Sequence, residues 1–202
     1  MANEALIVVD MQNDFCEGGA LAVPGGNGIV PRVNQLIAQA DHVVLTQDWH
    51  PPGHASFASS HEGAEPFSSR DFPYGPQTMW PAHCVQGTPG AAFHPDLEAT
   101  KAEMIVRKGF HRGVDSYSAF QENDRMTRTG LDGYLKARGI TRLTMCGLAL
   151  DFCVAWSALD ARKAGFDVTV AVDATAAIDL DGSRKKMLHA MRLAGVKLAG
   201  ER

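Results

Sequence analysis

Short apolar runs alternate along this chain with stretches of helical spacing. Residues 6–9 form the first run and stop at Asp10; residues 43–45 form a second, stopping near Asp48. Residues 103–107 end before Lys108, residues 143–146 run into Gly147, and residues 168–172 follow later; a last short run lies near 196–198. Between them, residues 30–40 place Val30, Val33, Leu36 and Ile37 on one helical face. Residues 131–138, 151–164 and 183–193 read as further helices, the first two ended by Gly139 and Gly165. Apolar runs without period-two alternation, joined by helices, predict strands buried on both faces. The expected fold is α/β: a three-layer α/β/α sandwich around a central, mostly parallel six-stranded sheet.

In such sheets ligands sit beyond the carboxyl ends of the strands. Asp10, Asp48, Lys108 and the turn 147–153 all follow strand ends, so the pattern draws polar and reactive groups toward one edge. Residues 49–100 break the rhythm. They hold most of the His, Pro and aromatic residues, and so long a connection is expected to be functional or tied down. The chain is therefore read as one domain over 1–202, with a metal-binding loop region at about 48–100.

Composition narrows the function classes. Hydrophobic residues make up 45% and charged residues 21%, enough apolar material for a layered core. A formal net charge of -4, with Lys and Arg scattered, leaves no basic footprint for nucleic acid. No apolar run would span a bilayer, and the start of the chain lacks the basic segment of a signal peptide, so the expected compartment is the cytoplasm. Cys16, Cys84, Cys146 and Cys153 form no CxxC pair and are expected to be free thiols. The partner expected is a small molecule; self-association into homo-oligomers stays open.

Cys153 sits between a strand and a helix, where the macrodipole and free N–H groups would favour a thiolate and could form an oxyanion hole. The plainer alternative is a small buried hydrophobe. Asp10 could take and return a thiol proton, or simply cap a turn. Lys108 could stabilise negative charge, or be an exposed lysine at a strand end. Asp48 and His50, two apart in extended chain, project the same way and are metal-ligand types; His54, His61 and His83 follow. A mixed Asp/His set suits zinc, iron or manganese, against the alternative of ordinary loop histidines. Phe15 and Trp80 could line a flat pocket for an aromatic ring, or only pack loops.

These blocks line up with a known family. The chain resembles the nicotinamidases of the isochorismatase-like cysteine hydrolase superfamily over nearly its whole length. The resemblance is carried by Val8 through Phe15, Gly18-Gly19 to Ala22-Val23, Thr46 through Pro51 and Ser56-Phe57. It continues in Trp80 through Val85, Gly87-Thr88, Lys108-Gly109, Gly147 to Ala149 and Asp151 to Val154. Other branches with the same triad generally lack the Asp-Trp-His and Trp-Pro-x-His-Cys blocks.

The resemblance implies hydrolysis of nicotinamide to nicotinic acid and ammonia through a cysteine thioester in NAD salvage, with pyrazinamide as a further substrate. It implies Asp10, Lys108 and Cys153 as catalytic triad and the amides of Ala149 and Cys153 as oxyanion hole. It implies a cis peptide between Leu148 and Ala149. Phe15 and Trp80 match the aromatics that sandwich the ring. Asp48, His50 and His83 match ligands of one divalent ion, zinc first, iron or manganese otherwise. The fourth ligand position varies in the family and falls near His54 and Ser56, with His54 taken first. Leu150 stands where a polar residue is commoner, and Phe152 where His or Tyr is commoner, which would reshape the pocket. Competing readings are another small-amide or carbamoyl cysteine amidase, a vinyl-ether hydrolase of isochorismatase type, and a metal-binding scaffold without activity.

Overall fold

The computed structural model describes residues 3–201. Six strands build one sheet: β1 (Glu4–Val9), β2 (Val43–Asp48), β5 (Met104–Lys108), β6 (Arg142–Gly147), β7 (Asp167–Thr175) and β8 (Lys197–Ala199). Their spatial order is β5-β2-β1-β6-β7-β8, and every pairing is parallel. The sheet is thus wholly rather than mostly parallel. The chain builds outward through β1, β2 and β5 on one side, then returns beside β1 and builds the other way. The order reverses between β1 and β6, and the crevice beyond their carboxyl ends is where such sheets bind ligands.

The two sheet faces follow from alternation within each strand. Leu6 and Val8 of β1, with Leu45 of β2, pack against Val30, Val33 and Ile37 of α1 (Val30–Gln39). Ile7 and Val9 face the other way, toward α2 (Leu131–Ala137), α3 (Ala155–Lys163) and α4 (Ser183–Leu193). On α3 the buried Ala155, Ala158 and Ala161 keep the helix close to the sheet. The three layers match the sequence expectation.

Two boundaries differ in ways that bear on the site. The helix expected from residue 151 begins instead as a wide π turn, Leu150–Val154, before α3 proper. The region 49–100 is also less irregular than its composition suggests. It contains an antiparallel hairpin, β3 (Ser69–Phe72) with β4 (Gly75–Thr78), and is stitched inward by bridges His50–Val85 and Phe57–Trp80. The hairpin strands are short, contain one large apolar residue, Phe72, and apart from Gln77 are exposed or half-buried, so they carry little of the apolar signal of a buried strand.

Gly147 ends β6 at φ +108, and a Cβ there would overlap the backbone of Val9. Only glycine lets β1 and β6 stay this close while the chain turns into the loop that carries Ala149 and Cys153.

Candidate active site

Three residues widely separated in sequence meet at the crevice. Lys108 Nζ lies 2.8 Å from Asp10 Oδ2 and 3.4 Å from Cys153 Sγ, donates to Ser116 O at 3.0 Å, and pairs closely with Asp48 Oδ1. Asp10 and Lys108 are fully buried, which removes the reading of Lys108 as an exposed strand-end lysine. Each is placed by a strand end: Asp10 follows β1 with φ +46, and Lys108 closes β5. Thr46 of β2 fixes Asp10 from below, accepting its backbone N–H at 3.1 Å and donating its hydroxyl to Oδ1 at 2.5 Å. Asp10 Oδ2 accepts no well-aligned hydrogen bond despite its nearness to Lys108, so it keeps an acceptor for a proton.

The two carboxylates that share Lys108 are pushed apart. Burial acts first to raise both, but for Asp48 the attraction of Lys108 and His50 outweighs it and holds the acid well below its usual range. For Asp10 burial prevails over Lys108, and the negative Asp48 adds to it, so its pKa is raised. One anion is thereby kept as a fixed charge and the other as a proton acceptor, the pattern of divided acid and base roles. Lys108 stays charged: burial opposes this, but Asp10, Asp48 and Cys153 together lift its pKa well above the ordinary value.

Cys153 departs from the sequence expectation of a stabilised thiolate. Burial raises its thiol well above the ordinary range; Lys108 opposes this, and Asp10 and Asp48 reinforce it. The resting group is a thiol that needs a base beside it. Ahead of it, the Leu148–Ala149 peptide is cis, as the family resemblance implies. The N–H of Ala149 makes no hydrogen bond among the described residues, and Ala149 O takes the N–H groups of Phe152 and Val154. Ala149 and Cys153 line the same cleft, and a free amide there suits an oxyanion.

A second cluster abuts the first through Asp48. Asp48 Oδ2 lies 3.6 Å from His50 Nε2 and 3.8 Å from His83 Nε2. His50 Nδ1 donates to Gly109 O at 2.9 Å and His83 Nδ1 to Pro81 O at 2.8 Å. A carbonyl only accepts, so each imidazole carries a proton on Nδ1, and Nε2 is the ring nitrogen on the Asp48 side. Gly109, at φ +67, leaves room for the His50 ring where a Cβ would collide with it. His50 Nε2 is buried without a partner, and the three ligand atoms lie within 4.8 Å of one another. Two imidazoles and a carboxylate, oriented by carbonyls behind them, fit a divalent ion such as zinc.

His54 does not join that set. Its Nε2 donates to His111 O at 3.0 Å and Val114 O at 3.1 Å, which leaves Nδ1 as acceptor for Ser56, whose Oγ is 2.8 Å away. Both ring nitrogens are engaged, and the buried neighbours of His54 in a second group are His50 and Asp115. Spacing along the chain cannot reveal this, because it says nothing of where each ring nitrogen points. Ser56, the other residue near the fourth position, is buried beside it.

Between the clusters lies a small, narrow cleft lined by Phe15, Trp80, His83, Ala149, Cys153 and Ile178, among others. Trp80 meets Phe152 edge-on at 4.9 Å and donates Nε1–H to Tyr117 OH at 3.3 Å. Phe15 leans on His83 at 5.4 Å. Asp115, Tyr117, Leu21 and Ile178 also line the cleft and were not singled out from the sequence. They come from connections without periodicity and are gathered only by the fold. Another groove, around Glu4, Leu36 and Asp41, lies at the amino ends of the strands, away from Cys153.

The geometry agrees with what the chain is similar to. The family described as the isochorismatase domain matches residues 4–201. A nicotinamidase from Acinetobacter baylyi is 54% identical over 200 residues, covering 99% of this chain and 94% of that protein. Among solved structures, a nicotinamidase pyrazinamidease of Acinetobacter baumanii superposes with a TM-score of 0.97 at 53% identity, covering 98% of this chain and 95% of the other. A pyrazinamidase of Pyrococcus horikoshii, solved in complex with zinc, superposes with a TM-score of 0.80 at 38% identity, covering 98% and 99%.

Proposed function

The chain belongs to the isochorismatase-domain family, and from that premise we propose that it is a nicotinamidase, hydrolysing nicotinamide to nicotinate and ammonia through a thioester on Cys153. The observation that carries this reading is the meeting of Asp10, Lys108 and Cys153 in a buried crevice, beside an Asp/His cluster and an aromatic cleft. The 54% identity to a nicotinamidase over almost the full length supports the choice of amide, and pyrazinamide is expected as a further substrate.

Asp10 takes the thiol proton through Oδ2, which is ion-paired with Lys108 but accepts no well-aligned hydrogen bond, as sulfur attacks the carboxamide carbon. Lys108 stays protonated and offsets the negative charge held on sulfur and carboxylates. The oxygen of the tetrahedral adduct is met by the N–H groups of Ala149 and Cys153; losing one such donor would cost roughly 3 kcal/mol of barrier. Asp10 then returns the proton to the departing nitrogen, and ammonia leaves a thioester behind. In the second half Asp10 takes a proton from water, the oxygen attacks the thioester carbon, and the sulfur leaves with its proton restored. Phe15 and Trp80 flank the ring and exclude bulk water from the sulfur.

Asp48, His50 and His83 would hold a divalent ion, zinc by preference. When bound, such an ion supplies a Lewis acid for the pyridine nitrogen or for water. Among the described residues no helix is long and apolar enough to cross a membrane, and all four cysteines are free. Both fit a cytoplasmic enzyme.

Ammonia release from nicotinamide, measured with and without a chelator alongside metal analysis of the purified protein, tests the reading. Turnover that a chelator suppresses is the expected result. A metal-containing protein that releases no ammonia from nicotinamide overturns it.

A further inference from the structure

The mechanism leaves Asp151 idle, although it lies two residues before the nucleophile and is only 1% exposed. Its Oδ1 accepts the N–H of Ile178 at 3.0 Å; its Oδ2 accepts the N–H of Asp179 at 2.7 Å and the hydroxyl of Ser183 at 2.5 Å. Next to it, Leu150 donates its N–H to Ala176 O at 2.8 Å. The turn that carries Cys153 is therefore stitched to the connection between β7 and α4.

Within that connection Asp179 Oδ1 accepts the N–H of Arg184 at 3.2 Å and Leu180 O the N–H of Ser183, while the side-chain acceptor for the N–H groups of Ile178 and Asp179 is Asp151. Asp179, Asp181 and Gly182 all sit in the left-handed region, at φ 57, 50 and 75. Non-glycine residues rarely adopt it, and such a backbone persists where its surroundings fix it. Asp151 is the fixture, because a carboxylate is acceptor-only and can face several converging donors at once. Ile178, the first residue it holds, lines the same cleft as Cys153, Ala149 and Phe15.

We propose that Asp151 is a positioning residue for substrate selection: its carboxylate sets where Ile178 stands in the cleft, and so decides which ring substituents a pyridine carboxamide can carry. The inference rests on the nicotinamide reading above. Asp151 touches neither the substrate nor the sulfur; it acts through Ile178. Asp151→Asn keeps the shape but turns an amide NH2 toward backbone N–H groups, so one of them must move away.

The test compares kcat/KM for nicotinamide with kcat/KM for its 2-, 4-, 5- and 6-methyl derivatives. Such ratios cancel the amount of active enzyme, so a merely structural loss would not move them. Ile178→Ala should raise the relative rate of at least one methyl isomer by roughly tenfold, the scale of a methyl group in an apolar pocket. Asp151→Asn should favour that same isomer, and the double variant should gain nothing over Ile178→Ala alone, since both changes act through one contact. Ser183→Ala removes a single bond, and should shift the ratio the same way by less; it serves as the probe should Asp151→Asn not fold. An unchanged ratio in whichever of these two variants folds overturns the inference, as does a different favoured isomer or full additivity in the double variant. Wild-type protein that turns over none of these amides overturns the nicotinamidase reading, and this inference with it.

Discussion

Replacing Lys108 with methionine removes a charge while keeping most of the stem. In the native protein this one ammonium faces Asp10 Oδ2 at 2.8 Å and Asp48 more closely still, with all three side chains almost wholly out of water. Removing one partner of a buried ion pair costs about 3–5 kcal/mol, because the charge left behind has neither partner nor solvent. Here two carboxylates are stranded by one substitution, so the upper part, about 4–5 kcal/mol, is expected near neutral pH in metal-free protein. For a chain of this size that is a fall in melting temperature of roughly 8–20 °C.

The loss should also depend on pH, with a definite sign. Without the cation, both carboxylates gain folded pKa values above their unfolded value of about 4. Groups with raised folded pKa add stability as pH falls through that value toward the unfolded one. Native Asp48 behaves oppositely: its depressed pKa contributes stability above the unfolded value, lost as pH drops below it. The gap between native and Lys108→Met protein should therefore narrow steadily from neutral pH toward about pH 4. Urea unfolding followed by circular dichroism, with chelator throughout, measures this. A gap below about 1 kcal/mol, the scale of an exposed pair, or one that does not change with pH, would refute the reasoning.

Two further outcomes follow from the site. His50→Ala removes the buried Nε2 that has no partner, and should lower metal content and ammonia release together; full metal occupancy in that variant would remove His50 from the ligand set. Trp80 is only 3% exposed and packs on Phe152, so Trp80→Ala is expected to cost about 3–5 kcal/mol of stability and confuse the kinetics. Trp80→Phe keeps a ring and loses the bond to Tyr117; it should raise KM for nicotinamide several-fold with a small change in melting temperature, and an unchanged KM would take Trp80 out of the pocket.

The sheet was legible because strands buried on both faces need near-continuous apolar runs; Leu6 to Val9 is one, and Leu143 to Cys146 is broken only by the half-buried Thr144. The ends of those runs then marked Asp10, Asp48 and Lys108. The hairpin at Ser69–Thr78 was invisible, since its strands are short, hold one large apolar residue and apart from Gln77 are exposed or half-buried. The pocket wall was equally hidden: Asp115, Tyr117 and Ile178 stand in connections whose course is set by tertiary hydrogen bonds such as those of Asp151. The charge state of Cys153 also escaped the sequence. A strand-to-helix turn argues for a thiolate, but burial of the sulfur, with Asp10 and Asp48 nearby, raises its pKa against the pull of Lys108.

The most direct test compares ammonia release from nicotinamide by native protein and Cys153→Ala at matched metal content. Rapid release by the native protein and none above background by the variant is the predicted result. Sustained release by folded, metal-loaded Cys153→Ala would contradict covalent catalysis at this sulfur.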